Sequence, residues 1–340
     1  MKGRQIILDH IGEREVAALM VDGQLDDLLI DTDAPRPGTV YRAIADRPVK
    51  GQGGLFLKTP DGPAFLRQVK GLAPGQALLV QVTGYAEPGK AIPVTQKLLF
   101  KSRYAIITPG APGLNISRSI RDDDVRDSLM AIAHDVAGEA NMGLILRSAC
   151  EDADAEDIAE DIQAMLDLAH SVTEAPEGAA EKLIDGDGPH VSAWRDWSEA
   201  AEVNTEPGCL DALGALDAID CVLQPEVPLG SGANMYVEPT RALVAVDVNT
   251  GRDTSPAAGL KANMALAQSL PRALRVRGLG GQIVLDLAPM PKKDRRVFES
   301  ALRAAFRRDA IDTNLVGWTS LGHFELQRKN ARIATYTLLK

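Results

Sequence analysis

The chain is poor in aromatic residues, which make up 4% of its 340 positions, and it has only three cysteines. Cys150, Cys209 and Cys221 lie far apart and form no CxxC pair, which excludes a disulfide framework and a compact all-cysteine zinc site. Reduced, buried thiols in a cytoplasmic protein are the plain reading. The opening stretch MKGRQIILDH has far too short an apolar run for a signal peptide. No apolar stretch is long enough to span a bilayer, so no membrane partner is expected. The five histidines are scattered without an HExxH, and no GxSxG elbow occurs, so zinc and serine hydrolase patterns are both missing. A basic excess is also lacking. The formal net charge is −10, so no global field advertises nucleic acid, although binding depends on where charge sits locally.

The remaining composition is that of a globular protein, 45% hydrophobic and 25% charged. The length suggests roughly two or three domains. In EVAALMVDGQLDDLLID, Asp22-Gly23 reads as a hairpin turn between apolar segments. From Thr39 to about Thr95, turn residues alternate with short apolar runs, which suggests a small barrel of short strands. Residues 101–172 mix strands (YAIITP, MGLILRSA) with helices (DDDVRDSLMAIAHDVA, AEDIAEDIQAMLDLAHSV). TEAPEGAAEKLIDGDGPH is loop-like with room for a short strand, and CLDALGALDAIDCVL looks helical. A strand–helix–strand–helix alternation follows. It consists of a strand over 242–248, a helix over about 259–277 with Pro271 as a kink, the strand QIVLDL and the helix KKDRRVFESALRAAFRRD. A final strand, NLVGWTSLG, completes an α/β layer.

Within ALVAVDVNTGRD, Asp247 and Asn249 close an apolar strand with one residue between them, so alternation sends both side chains to one face. Asp286 ends a second apolar strand in GGQIVLDLAPM. Polar groups beyond strand ends line the ligand crevice of open α/β sheets. Two carboxylates there suit magnesium, which takes oxygen ligands and keeps several waters. The competing reading is that these residues only cap turns or helices. GYAEPGKA nearly spells a phosphate-binding loop, but IPVTQ follows as strand, so a hairpin connection is expected instead. Phe56 and Phe65 fall in the small barrel, where they either stack on bases or fill the core. Arg147 in RSAC either aims a guanidinium at a phosphate or forms a surface ion pair. EDADAEDIAED reads as a solvated helix face, while KKDRR and LQRKNAR either contact RNA phosphates or are solvated.

These segments together resemble the catalytic region of the ribonuclease E/G family. The resemblance is carried by ALVAVDVNTGRD, LPRALRVRGLGGQIVLDLAPM, FESALRAAFRRD and LGHFELQRKN, with support from ALMVDGQLDDLLID, NISRSIRDDD and NMGLILRSAC. It implies a mixed α/β, multi-subdomain protein. A ribonuclease-H-like subdomain would be built from residues 1–38 and 176–225. An S1-type OB barrel would be inserted at 39–98, a 5′-sensor would occupy 99–175, and a DNase-I-like catalytic subdomain would run over 226–335. The residues matching the family's site are Asp247 and Asp286 for magnesium, with manganese as a substitute, and Asn249 for orienting the attacking water or the scissile phosphate. Phe56, Phe65 and Lys90 correspond to RNA-binding positions of the barrel. Arg147 and Ser148 correspond to contacts with a 5′-monophosphate.

Several departures accompany the match. Gly84 and Glu87 stand where the family places basic residues, and Pro289 follows Asp286 where a further carboxylate is often seen. The zinc-link and the small C-terminal domain are absent from this sequence, so zinc is not expected and any homo-oligomer is expected not to be zinc-linked. The implied function is a cytoplasmic endoribonuclease cutting single-stranded RNA in RNA processing or decay, with a preference for 5′-monophosphorylated ends. Its rivals are a catalytically weak or inactive RNA-binding protein of the same fold, or an adaptor in an RNA-decay assembly.

Overall fold

Burial of apolar residues drives the first three strands together, with Val16 to Met20 of the central strand buried on both faces. β1 (Arg4–Ile11), β2 (Arg14–Val21) and β3 (Gln24–Ile30) are joined as antiparallel hairpins. The β2–β3 turn is Asp22-Gly23, with φ of 49° and 78°, the two positive values that a type I′ turn requires. The structure, a computed structural model, describes residues 3–49, 53–67, 71–87, 89–138, 141–255 and 257–339. It divides into two compact units, Met1–Asp31 with Ala201–Lys340, and Thr32–Ala200.

The second unit begins with a barrel. β4 (Val40–Val49), β5 (Gly54–Thr59), β6 (Gly62–Arg67), β7 (Ala77–Val82) and β8 (Ile92–Thr95) run in the order β4-β5-β6-β8-β7. β4 pairs again with β7, so the five strands close on themselves, and only β6–β8 is parallel. This is an OB-like arrangement. Leu55, Leu57, Ala64, Leu66, Val80 and Val94 fill the interior.

A second layer follows in the same unit. β9 (Phe100–Lys101), β10 (Ala105–Thr108), β11 (Gly113–Ile116) and β12 (Gly143–Leu146) form a sheet ordered β11-β12-β10-β9. α1 (Asp123–Ala137) and α2 (Ala155–Thr173) share its core. Asp122 caps α1 by accepting from the N–H groups of Asp124 and Val125. Ile158, Ile162, Leu166 and Ala169 form the buried stripe of α2, while Glu156, Asp157 and Glu160 face water. β13 (Glu181–Ile184) pairs with β4, and α3 (Pro189–Asp196) ends the unit.

Back in the first unit, β14 (Glu202–Asn204) adds parallel to β1, and α4 (Cys209–Ala212) and α5 (Ala215–Leu223) pack on that sheet. The segment 176–225 thus contributes one strand to each unit. β15 (Glu226–Gly230), β16 (Ala233–Pro239), β17 (Val244–Asn249), β18 (Gly281–Asp286), β19 (Thr313–Trp318) and β20 (Phe324–Arg328) form a six-stranded sheet ordered β15-β16-β17-β18-β20-β19. Only β17–β18 is parallel, and α6 (Ala258–Val276) is the crossover between them. α6 runs unbroken through the buried Pro271, where the sequence suggests a kink. α7 (Arg295–Phe306) lies with α6 on the apolar face, where Val246, Ile283, Leu285 and Leu326 meet Leu266, Leu270, Phe298 and Leu302.

A buried ion network ties β3 to this layer. Asp309, with a fully buried side chain, pairs with Arg275 of α6 and with Arg328 of β20, the latter at 2.6 Å. Arg275 also donates to the Asp26 carbonyl at 2.8 Å, and Arg332 donates to Asp27 at 3.0 Å. LQRKNAR is therefore neither solvated nor free for phosphate at Arg328 and Arg332. Burial alone raises the Asp27 pKa, but the charges of Arg332 and Arg275 outweigh it and hold the carboxyl below its ordinary 3.8. Among the described residues no helix is long and apolar enough to cross a membrane.

Asp309→Asn leaves the buried Arg328 guanidinium without its counter-charge and takes one of three carboxylates from Arg275, so guanidinium-chloride unfolding should show a loss of about 3–5 kcal/mol. Because the folded-state pKa of Asp27 is depressed, its contribution to stability is complete above pH 3.8 and drains as the pH falls below that value. Asp27→Asn should therefore flatten the acid limb of a pH–stability curve without changing its slope above pH 5 or so.

Candidate active site

Strand alternation places the polar groups. Val244, Val246 and Val248 are buried, so Asp247 and Asn249 project from the opposite, exposed face of β17. On β18, Ile283 and Leu285 are buried and Asp286 is exposed. The parallel register makes Asp247 the direct partner of Asp286, with Ala245 level with Val284. Two carboxylates thus stand side by side at the same end of adjacent strands. Tyr236 of β16 is opposite Asp247, and Asn234 is opposite Asn249. On the other flank, β20 carries Glu325 level with Val284, and the His323 ring lies with Nδ1 3.3 Å from Asp286 Oδ1.

The loops that leave these strands are held firmly. Asn249 Oδ1 accepts from the Gly251 N–H at 2.8 Å, so this residue does begin a turn, and its Nδ2 is left as a donor. Gly251 has φ +65°, and a Cβ there would lie 2.1 Å from the Gly232 carbonyl oxygen, so only glycine lets the two loops meet. Beyond Asp286, the fully buried Asn263 of α6 grips the chain at both ends of its amide. Its Nδ2 donates to Ala288 O at 2.8 Å, and its Oδ1 accepts from Ala288 N at 3.1 Å. The helix that connects the two strands therefore also fixes the exit of the second. The sequence carries one trace of this clamp, a lone asparagine on the apolar stripe of α6.

The donor set is two carboxylates with an amide beside them, which fits a hard divalent cation that keeps part of its water shell. Among the described residues, no three His, Cys, Asp or Glu side chains already surround one point. Cys150, Cys209 and Cys221 are all free thiols.

The other expected contact residues lie in the second unit. Phe56 and Phe65 are cross-strand partners on the barrel's outer face, with ring centroids 5.3 Å apart, and their neighbours Leu55, Leu57, Ala64 and Leu66 take the interior. The Arg47 guanidinium lies 5.5 Å from the Phe56 centroid. Lys90 is in the β7–β8 connection, paired at 2.5 Å with Glu87. Arg147 follows β12, and Ser148 beside it is exposed. The Arg147 guanidinium is already engaged. It donates to the carbonyls of Ser102, Arg103 and Arg195 and, at 2.9 Å, to Asp196. Asp196 also receives Lys101 at 2.6 Å and Arg195 at 2.9 Å. Burial raises its pKa, but Arg195 and Lys101 outweigh that and draw it down to about 2.

A family model described as the ribonuclease E/G family matches residues 100–201 and 198–331, more than half of the chain. The chain belongs to the ribonuclease E/G family. It is 27% identical to ribonuclease E of Nostoc sp., over 98% of this chain and 57% of that protein. Its identity to ribonuclease E of Synechocystis sp. is 26%, over 98% of this chain and 58% of that protein. Ribonuclease G of Salmonella typhimurium is 25% identical, over 96% of this chain and 80% of that protein. The chain thus spans rather more than half the length of these two ribonuclease E relatives.

Asn263→Leu removes both hydrogen bonds and leaves the Ala288 amide and carbonyl buried without partners. Thermal or denaturant unfolding should show a loss of about 2–4 kcal/mol, well above that of a surface substitution.

Proposed function

We propose that this member of the ribonuclease E/G family is a magnesium-dependent endoribonuclease that cuts single-stranded RNA in processing or decay. The observation that carries the reading is the parallel register that sets Asp247 level with Asp286, with Asn249 on the same exposed face. Asp247 and Asp286 would hold the cation. Magnesium in such a site, with manganese as a substitute, polarises a phosphate oxygen and makes a bound water more acidic. Asn249, its oxygen committed to Gly251, offers Nδ2 to a phosphate oxygen and so orients the group for attack. A water oxygen bonds to phosphorus and its proton passes to solvent. The bond from phosphorus to the 3′-oxygen breaks, and that oxygen takes up a proton. The products are a 3′-hydroxyl and a 5′-phosphate on the downstream fragment.

In this reading Phe56 and Phe65 stack on successive bases. Their outward placement, with Arg47 beside them, supports stacking over the core reading. A 5′-monophosphate preference would rest on Arg147 and Ser148, and the phosphate would have to displace Asp196 from the arginine. One observation favours the rival of a catalytically weak RNA-binding protein. Lys90, the basic residue retained in the barrel loop, is paired with Glu87, which reduces its pull on a phosphate.

Asp247→Asn and Asp286→Asn should each slow cleavage of labelled single-stranded RNA in magnesium by at least about a hundredfold, with little change in RNA affinity in EDTA. Undiminished cleavage in both variants would remove the metal site from the mechanism. Phe56→Ala and Phe65→Ala should each weaken RNA binding by about 1–3 kcal/mol in a fluorescence titration, with the melting temperature little changed. For one RNA carrying three different 5′ ends, the monophosphate should be cut fastest, and Arg147→Ala should erase that advantage. Equal rates on all three ends in the unmodified protein would assign Arg147 to holding Asp196 alone.

A further inference from the structure

We propose that His323 is a third protein ligand of the divalent cation at Asp247 and Asp286, and that its nitrogen tilts the site toward manganese and related transition metals over magnesium. The inference rests on the reading of the two aspartates as metal ligands, and it concerns a residue that has no part in that reading. His323 immediately precedes β20 and directly follows a tight turn. Its N–H donates to Thr319 Oγ1 at 3.1 Å, its carbonyl accepts from the Thr319 N–H at 2.8 Å, and Gly322 N–H donates to Thr319 O at 3.1 Å. The backbone is therefore fixed. With Phe324 buried beneath the sheet, alternation puts the imidazole on the face that carries Asp286.

Nδ1 lies 3.3 Å from Asp286 Oδ1, is shielded from solvent, and has no aligned hydrogen-bond partner. A nitrogen lone pair turned toward a carboxylate oxygen is unfavourable unless a cation or a shared proton lies between them. Two ligands each about 2.0–2.2 Å from one ion stand roughly 3.0–3.5 Å apart for octahedral to tetrahedral angles, which brackets the observed separation. Asp247, exposed and level with Asp286, does not yet converge with them on one point, and would complete the set by turning toward a bound ion from the neighbouring strand. A set of two carboxylates and one imidazole differs in kind from a purely oxygen site. Transition metals from manganese onward accept an imidazole nitrogen, with affinity rising along the first row, whereas magnesium gains little from exchanging an oxygen for nitrogen. The remaining histidines, His10, His134, His170 and His190, lie on other elements, in β1, α1, α2 and α3.

The test is manganese binding by the chelator-treated protein, followed by electron paramagnetic resonance with detection of nitrogen coupling to the bound ion. The unmodified protein should show nitrogen coupling, a readout that requires no variant and no cleavage. His323→Leu, at a partly exposed position, should keep the melting temperature, lose the nitrogen coupling and bind manganese at least about tenfold more weakly. Magnesium affinity, measured by competition, should change about threefold or less. Manganese that binds in an Asp286-dependent way without nitrogen coupling, or with coupling that survives His323→Leu, overturns the role of His323 and leaves the aspartate reading intact. Manganese affinity unchanged in Asp286→Asn overturns both.

Discussion

The parallel pairing of β17 with β18 is the constraint on which the candidate site depends. Every other contact in that sheet is antiparallel, and an antiparallel neighbour can be reached by a short turn. A parallel neighbour requires a crossover, here α6. The crossover brings both strand ends to one edge and levels Asp247 with Asp286. Two carboxylates side by side repel, so the sheet does not assemble for their sake. It assembles because Val246, Ile283 and Leu285 bury themselves against Leu266, Leu270 and Phe298 beneath. Exposure of the aspartates to water keeps the repulsion bearable, and a cation relieves it. α6 serves this arrangement twice, as the connection and, through Asn263, as the clamp on the loop after Asp286.

The distribution of positive charge follows from packing as much as from any partner. Family proteins act on RNA, yet this chain is acidic overall and uses many of its arginines internally. Arg275, Arg328 and Arg332 meet Asp27 and Asp309 inside the first unit. Arg147, Arg195 and Lys101 converge on Asp196 in the second. Such groups are worth most to stability as sets, because removing one partner leaves an uncompensated charge out of water. Exposed cations outside these networks include Arg47, beside Phe56. An acidic sequence is thus compatible with a polyanionic partner, provided that the contact surface is small and patterned.

Much of the secondary structure was legible in the sequence because it is written in near neighbours. Asp22-Gly23 specifies its hairpin by backbone preference alone, and Ile158, Ile162 and Leu166 specify the buried stripe of α2 by spacing alone. The same alternation put Asp247 and Asn249 on one face before any fold was known. Phe56 and Phe65 could not be settled in this way. Whether an aromatic in a barrel strand points in or out depends on which neighbours fill the interior, and here Leu55, Leu57, Ala64 and Leu66 do so.

The sequence by itself determined which segments are strands and helices, which residues carry carboxylates at strand ends, and which family pattern the chain follows. Only the tertiary structure decided what those residues meet. The parallel register that aligns Asp247 with Asp286 depends on how α6 packs. The pairing of Arg332 with Asp27 joins residues 305 positions apart, and that of Arg147 with Asp196 joins residues 49 apart. The contact of His323 with Asp286 depends on one turn at the start of β20. Local periodicity is a property of adjacent residues and survives in any fold. A charge's partner, a side chain's burial and the register of two strands are properties of the closed core, and they exist only once distant segments have been brought together.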